Sequence, residues 1–159
     1  MISALLFDFA RVFLFAKNKN YKGELNALHK QLSPSPGYKF FDYFKFNEEL
    51  LTYAEKLKTK VDLYMFTSGT IQETPEVQMK IVDLFKEIFS AQKLSLFKTD
   101  HGAYVDIATR MGKTPEEILF IDDAPSNILA AQEAQLSTIL YSNNLQLMTE
   151  LKNFINFTI

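Results

Sequence analysis

Short apolar runs in this chain end on residues able to handle phosphate or a metal ion. ALLF ends at Asp8, ILFI ends at Asp122 and Asp123, and LYMF is followed by Thr67, Ser68 and Gly69. A lysine, Lys98, stands in the segment SLFKTD. Taken singly each is unremarkable, because strands commonly exit into polar loops. Taken together they are harder to dismiss. Three carboxylates drawn into one small volume repel one another, and proteins tolerate that where a cation or a proton resolves it. The chain has no cysteine and only two histidines, His29 and His101. Thiolate and histidine-rich zinc sites are therefore excluded, and a metal here is held by carboxylates. Carboxylate and backbone oxygens are hard ligands that suit Mg²⁺.

Convergence of these groups depends on the elements that carry them. Ala4–Phe7 and the runs 61–66, 118–121 and 138–141 are continuously apolar or nearly so, as parallel strands covered on both faces are. Glu87–Ser90 is a weaker fifth candidate. Helical spacing fills the gaps at Glu48–Leu57, 75–85, 102–111, 125–134 and 145–155. Alternating strands and helices predict a three-layer α/β/α, Rossmann-like parallel sheet. In such sheets ligands bind beyond the carboxyl ends of the strands, where the polar residues above fall.

Residues 17–46 break the rhythm. They carry a predicted helix over 21–32, the loop Ser33-Pro34-Ser35-Pro36-Gly37 and the aromatic stretch YKFFDYFKF. The expected organisation is a core domain of residues 1–16 and 47–159, with 17–46 as a small helical cap insertion over the sheet edge. The aromatic rings are expected to plug the cap onto the core.

In this order the motifs resemble those of the haloacid dehalogenase superfamily of phosphohydrolases. Its first motif, a strand ending D-x-D-x-T/V, reads Asp8-Phe9-Ala10-Arg11-Val12 here; its second matches Thr67-Ser68-Gly69, its third Lys98, and its fourth Asp122-Asp123. The run from Lys98 through TPEEILFIDDAPSNILAAQEA is the most specific part, and the likeness covers nearly the whole chain outside 17–46. Response-regulator receivers use a similar set, but with the acidic pair first in the chain; the order here excludes them.

The resemblance implies a weak Mg²⁺-dependent phosphatase acting on a small phosphorylated metabolite. In it Asp8 attacks phosphorus and forms an aspartyl-phosphate. Mg²⁺ is held by Asp8, the backbone carbonyl of Ala10 and Asp123. Asp122 orients Lys98, while Thr67, Ser68, Gly69 and Lys98 grip the phosphoryl oxygens. The departure is Ala10, where the family's phosphatases carry a second Asp as general acid and base, a function worth about 10²–10⁴-fold. Three consequences stay open. The substrate has a leaving group that needs little protonation; or the proton comes from elsewhere, His101 and His29 being the imidazoles available; or the chain binds a phosphorylated ligand or a protein partner without efficient turnover.

Composition sets the outer limits. At 159 residues the chain holds one domain-sized core, and 47% hydrophobic with 23% charged residues argues against disorder. A net charge of -2 offers no electrostatic footprint for nucleic acid or an anionic membrane. The N-terminal apolar run lacks a basic leader and meets Asp8, so it reads as a buried strand and not a secretion signal. The expectation is a cytoplasmic protein, monomer or homodimer, whose partner is a small phosphorylated molecule.

Overall fold

The computed structural model describes residues 1–155. Five parallel strands form one sheet: β1 (Ala4–Phe7), β4 (Asp62–Thr67), β5 (Glu87–Ser90), β6 (Ile118–Asp122) and β7 (Ser137–Leu140), in the order β5-β4-β1-β6-β7. The central strand β1 is wholly buried, and its alternating side chains serve two cores. Leu5 and Phe7 join Leu63, Met65, Leu119 and Ile121 under α3 (Glu48–Leu57), α4 (Pro75–Ile81) and α8 (Asn144–Phe154). Ala4 and Leu6 join Tyr64, Phe66, Ile118 and Phe120 under α6 (His101–Met111) and α7 (Pro125–Glu133). The sheet is thus sandwiched between helices, the three-layer arrangement expected.

Local chemistry sets the ends of these helices. Asn47 caps α3 by accepting from the Leu50 amide (3.2 Å), and Asp100 caps α6 by accepting from the Gly102 amide (3.0 Å). Pro75 and Pro125 occupy first-turn positions, where a missing N–H costs nothing. Helix α4 stops at Ile81, short of the predicted 85, because the Lys86 amide already donates to the Leu63 carbonyl (2.8 Å) and the chain must extend into β5.

Segment 17–46 contains α1 (Leu25–Leu32), the single turn α2 (Phe40–Tyr43) and β3 (Phe44–Phe46). β3 pairs antiparallel with β2 (Leu14–Ala16), a two-stranded ribbon that the sequence pattern did not announce. The helix predicted from residue 21 begins only at Leu25, because the Arg11 guanidinium holds the Gly23 carbonyl (2.5 Å) and the Tyr21 hydroxyl donates to the Glu24 carbonyl (3.0 Å). Position, too, differs from expectation. Asn26 of α1 accepts from the amides of Thr70 (3.0 Å) and Ile71 (2.9 Å), so the helix sits on the loop leaving β4, an interior strand, and not over the sheet edge. Of the aromatic stretch, Phe40, Phe44 and Phe46 are buried in the core and Phe41 and Tyr43 are exposed.

Candidate active site

Strand register brings the acidic residues together. Phe7 is level with Ile121 on β6 and with Met65 on β4, so Asp8 emerges level with Asp122, and Thr67 one step beyond Phe66. The Asp8 amide donates to the Ile121 carbonyl (2.8 Å), which extends the pairing to the carboxyl end of the sheet. Asp8, Asp122 and Asp123 each place a carboxylate oxygen within 4.8 Å of the others.

Lys98 lies between two of them. It comes from the segment joining α5 (Ala91–Leu94) to α6, and its carbonyl accepts from the buried Tyr104 hydroxyl at 2.8 Å. Its Nζ donates to Asp8 Oδ1 at 2.6 Å and reaches Asp122 Oδ2 at 2.8 Å, with the rings of Phe66 and Phe120 each 5.5 Å away. Both Asp122 oxygens are engaged: Oδ1 accepts from the Ala124 amide (2.8 Å), and Oδ2 from Asn127 Nδ2 (3.0 Å) as well as from Lys98. Asp122 is therefore a fixed strut for the lysine. Asp8 keeps its second oxygen free of side-chain bonds among the described residues.

Electrostatics follow from this crowding. Burial, with a further push from Asp122, raises the Asp8 carboxyl to about 7 in spite of Lys98. Burial and Asp122 likewise raise Asp123 to about 6, with Arg11 pulling the other way. Burial works against the charge on Lys98, but Asp8 and Asp122 outweigh it and hold the ammonium more firmly than usual. Lys98 offsets only part of the repulsion among the carboxylates, and the raised values of Asp8 and Asp123 express the rest. A hard divalent ion fits the same donor set.

A cleft of ≈ 150 Å³ opens onto the group, lined by Asp8, Ala10, Ser68, Asp122 and Asp123 and by residues of the insertion. Larger depressions of ≈ 420 and 700 Å³ lie elsewhere and contain none of the three aspartates. Thr67 and Lys98 are buried behind the cleft wall. Gly69 lies under Asn26, whose Oδ1 would stand 2.4 Å from a Cβ at that position, so only glycine fits there without displacement. Neither histidine lines the cleft. His29 Nδ1 is 2.9 Å from the Tyr38 hydroxyl, and the exposed His101 lies beside Asp100 and Glu133.

Several site residues were missed in the sequence. Glu24 and Asn26 line the cleft from the insertion, and nothing in their local pattern distinguishes them; Asn127 lines it from α7, inside the specific run that follows the acidic pair, although the sequence reading assigns it no role there. Arg11, in the first motif, is left by the sequence between contact with a substrate phosphate and a place facing solvent. Its left-handed backbone (φ 60°) and its N–H···O bond to Leu14 (2.7 Å) fold the chain back so that its side chain spans to Gly23. Asn47 is a further clamp: its Nδ2 donates to the Val12 carbonyl (2.9 Å) and to Asn144 Oδ1 (2.8 Å), tying the loop after β1 to the start of α8.

Comparison with known proteins agrees with this architecture. Enolase-phosphatase E1 of Danio rerio is 30% identical over 95 residues, 55% of this chain and 36% of that protein. Its namesake from Aquifex aeolicus is 32% identical over 84 residues, 50% of this chain and 37% of that one. The chain thus spans little more than a third of the curated relatives it matches. A haloacid dehalogenase-superfamily hydrolase of Geobacter sulfurreducens shares the fold with a TM-score of 0.69 at 14% identity, covering 94% of this chain and 96% of that one. So does a haloacid dehalogenase-family enzyme of Bacteroides thetaiotaomicron in complex with magnesium and inorganic phosphate, with a TM-score of 0.63 at 16% identity, covering 89% and 95%. The profile of the haloacid dehalogenase-like hydrolases matches residues 24–135, most of the chain, and the protein belongs to that family.

Proposed function

We propose that the protein is a Mg²⁺-dependent phosphatase of a small phosphorylated metabolite, with Asp8 as its nucleophile. One observation carries this reading: Asp8, Asp122 and Asp123 converge on a cleft too small for more than a phosphoryl-sized group, and Lys98, buried behind its wall, bridges Asp8 and Asp122. The names of the curated relatives and the magnesium and phosphate bound by the Bacteroides enzyme support the same ligand class.

Lys98, itself held by Asp122, fixes Asp8 through Oδ1, which leaves the other oxygen to attack phosphorus. A new O–P bond forms as the bond to the leaving oxygen breaks, and the electron pair departs with that oxygen. Mg²⁺, held by Asp8, Asp123 and the Ala10 carbonyl, would offset the repulsion between carboxylate and phosphoryl group. Lys98 supplies a fixed positive charge behind the nucleophile; Thr67 ends β4, and in the loop that follows Ser68 lines the cleft, so that this segment is the one to grip the phosphoryl oxygens. The segment 17–46 serves as the cap, closing the cleft with α1.

Ala10 carries no carboxyl group, so neither the departing oxygen nor the hydrolytic water is assisted from that position. Acyl and aryl phosphates should therefore turn over faster than sugar phosphates, and phospho-Asp8 should accumulate. A burst of leaving group at stoichiometric enzyme, lost in Asp8→Asn, tests this; a linear time course would refute it. Ala10→Asp should raise turnover of alkyl phosphates by about 10²-fold or more. A second reading rests on Glu24, which lines the same cleft. If it delivers the proton, Glu24→Gln slows alkyl esters and spares aryl ones. A screen without turnover, in which Mg²⁺ still raises the melting temperature, would instead identify a phosphate-binding protein.

A further inference from the structure

We propose that a second cleft, adjoining the carboxylate site and lined by Arg11, Lys19, Lys22 and Lys45, binds a second anionic group on the ligand, so that the preferred ligand carries two anions. The proposal rests on the reading of the carboxylate cleft as a phosphate site and names the class of molecule it takes. The second cleft has a volume of ≈ 310 Å³, and its lining contains these four cations, Asn18 and Tyr21 but no carboxylate. Arg11 lines both clefts and is the hinge between them.

Three features argue for a built recess over a chance surface patch. Charge is segregated along the chain. Residues 17–46 hold six lysines against Glu24 and Asp42, a balance of +4, while the remainder holds eleven basic against seventeen acidic residues, -6. The overall balance of -2 thus hides a basic insertion laid against an acidic core. Arg11, secondly, is not a loose side chain. It sits in a left-handed backbone conformation that costs a non-glycine residue energy, and its guanidinium is anchored on the Gly23 carbonyl. That anchor keeps a permanent positive charge between the two clefts. Size is the third feature. The carboxylate cleft, at ≈ 150 Å³, is well under the roughly 300–1,000 Å³ of sites that enclose a whole ligand. Whatever carries the phosphoryl group extends out of it, and the neighbouring recess sharing Arg11 is basic. A phosphate or carboxylate at the far end of the ligand would meet several N–H donors there, charge-assisted bonds that lysine and arginine make best.

The test uses the full chain with Mg²⁺ and probes that cannot turn over: short alkane bisphosphonates and the matching alkyl monophosphonates, titrated by calorimetry. The bisphosphonate should bind about tenfold or more tightly than its partner. That advantage should shrink towards unity in Lys22→Gln/Lys45→Gln and persist in Lys30→Gln, which removes a cap charge outside the recess. Equal affinity for the two probes, or an advantage that survives Lys22→Gln/Lys45→Gln, would overturn the second subsite and leave the phosphatase reading intact. Conversely, a lysine-dependent bisphosphonate advantage in a protein that hydrolyses no ester would uphold the subsite and remove the catalytic reading. Repeating the titration with a phosphonate bearing a terminal carboxylate separates the two sources of the second anion.

Discussion

Asp8→Asn should stabilise the metal-free protein, and the gain should depend on pH. In the folded chain burial raises the Asp8 carboxyl from 3.8 to about 7, so folding penalises its ionised form. The sign follows from linkage. A carboxyl group whose folded value lies above its unfolded value imposes no cost below about pH 3, where both states are protonated. Its cost grows as the unfolded chain ionises first, and is complete once pH passes the folded value near 7. A rise of about three units corresponds to roughly 4 kcal/mol at about 1.36 kcal/mol per unit. Asparagine keeps the shape of the protonated acid and an oxygen that accepts from Lys98 Nζ, now 2.6 Å from Asp8 Oδ1. At pH 8 in the presence of a chelator the substitution should therefore add about 2–4 kcal/mol, which for a chain of this size is roughly 5–10 °C in Tm. At pH 4 the gain should shrink to about 0.5 kcal/mol. Adding Mg²⁺ at pH 8 should reverse the order, because the wild-type chain binds the ion with one more carboxylate. Thermal and urea melts at the two pH values provide the measurement. An Asp8→Asn protein that is less stable at pH 8 without metal, or a gain of equal size at pH 4, would refute the claim that the site is a strained cluster of negative charge.

The other predictions concern the same cluster and its cover. Mg²⁺ affinity, read from the shift in melting temperature, should rise with pH through the ionisation of Asp123 near 6 and Asp8 near 7 and level off above about pH 8. Lys98→Met removes the cation shared by Asp8 and Asp122. It should cost about 3–5 kcal/mol in urea at pH 8, less at pH 5 where Asp8 takes up its proton, and should abolish turnover. Gly69→Ala pushes a methyl group to 2.4 Å from Asn26 Oδ1, for a loss of about 1–3 kcal/mol in urea. In the Asn26→Ala background the same substitution should cost much less, and additive losses would show that α1 does not rest on that glycine.

How much of this was legible beforehand depended on the range over which each feature is decided. The sheet was legible because a strand buried on both faces must be apolar at consecutive positions. Ala4–Phe7 meets that demand, as does Ile118–Asp122 up to its last residue, and Asp8 and the Asp122-Asp123 pair were visible as polar breaks at their ends. Thr67 and Lys98 were found through the order of motifs along the chain, since a lone threonine or lysine carries no signal of its own. The ribbon of Leu14–Ala16 with Phe44–Phe46 was not legible, because three-residue strands leave no period to count and their pairing joins segments far apart in the chain.

Sequence alone determined the kind of protein: a parallel α/β sheet with carboxylates and a threonine at strand ends, a lysine in the loop before a helix, and an alanine where a second acid was expected. Tertiary structure decided what those groups face. Lys98 bridges Asp8 and Asp122 only because β1 and β6 are neighbours in register. Asn26 covers Gly69, and Arg11 joins an acidic cleft to a basic one, because the insertion folds over the carboxyl end of the sheet. Burial and periodicity are local demands that each residue answers with its own side chain. Proximity between distant segments is a property of the packed whole, and the electrostatics of this site, from the raised Asp8 to the firmly held Lys98, arise from that proximity.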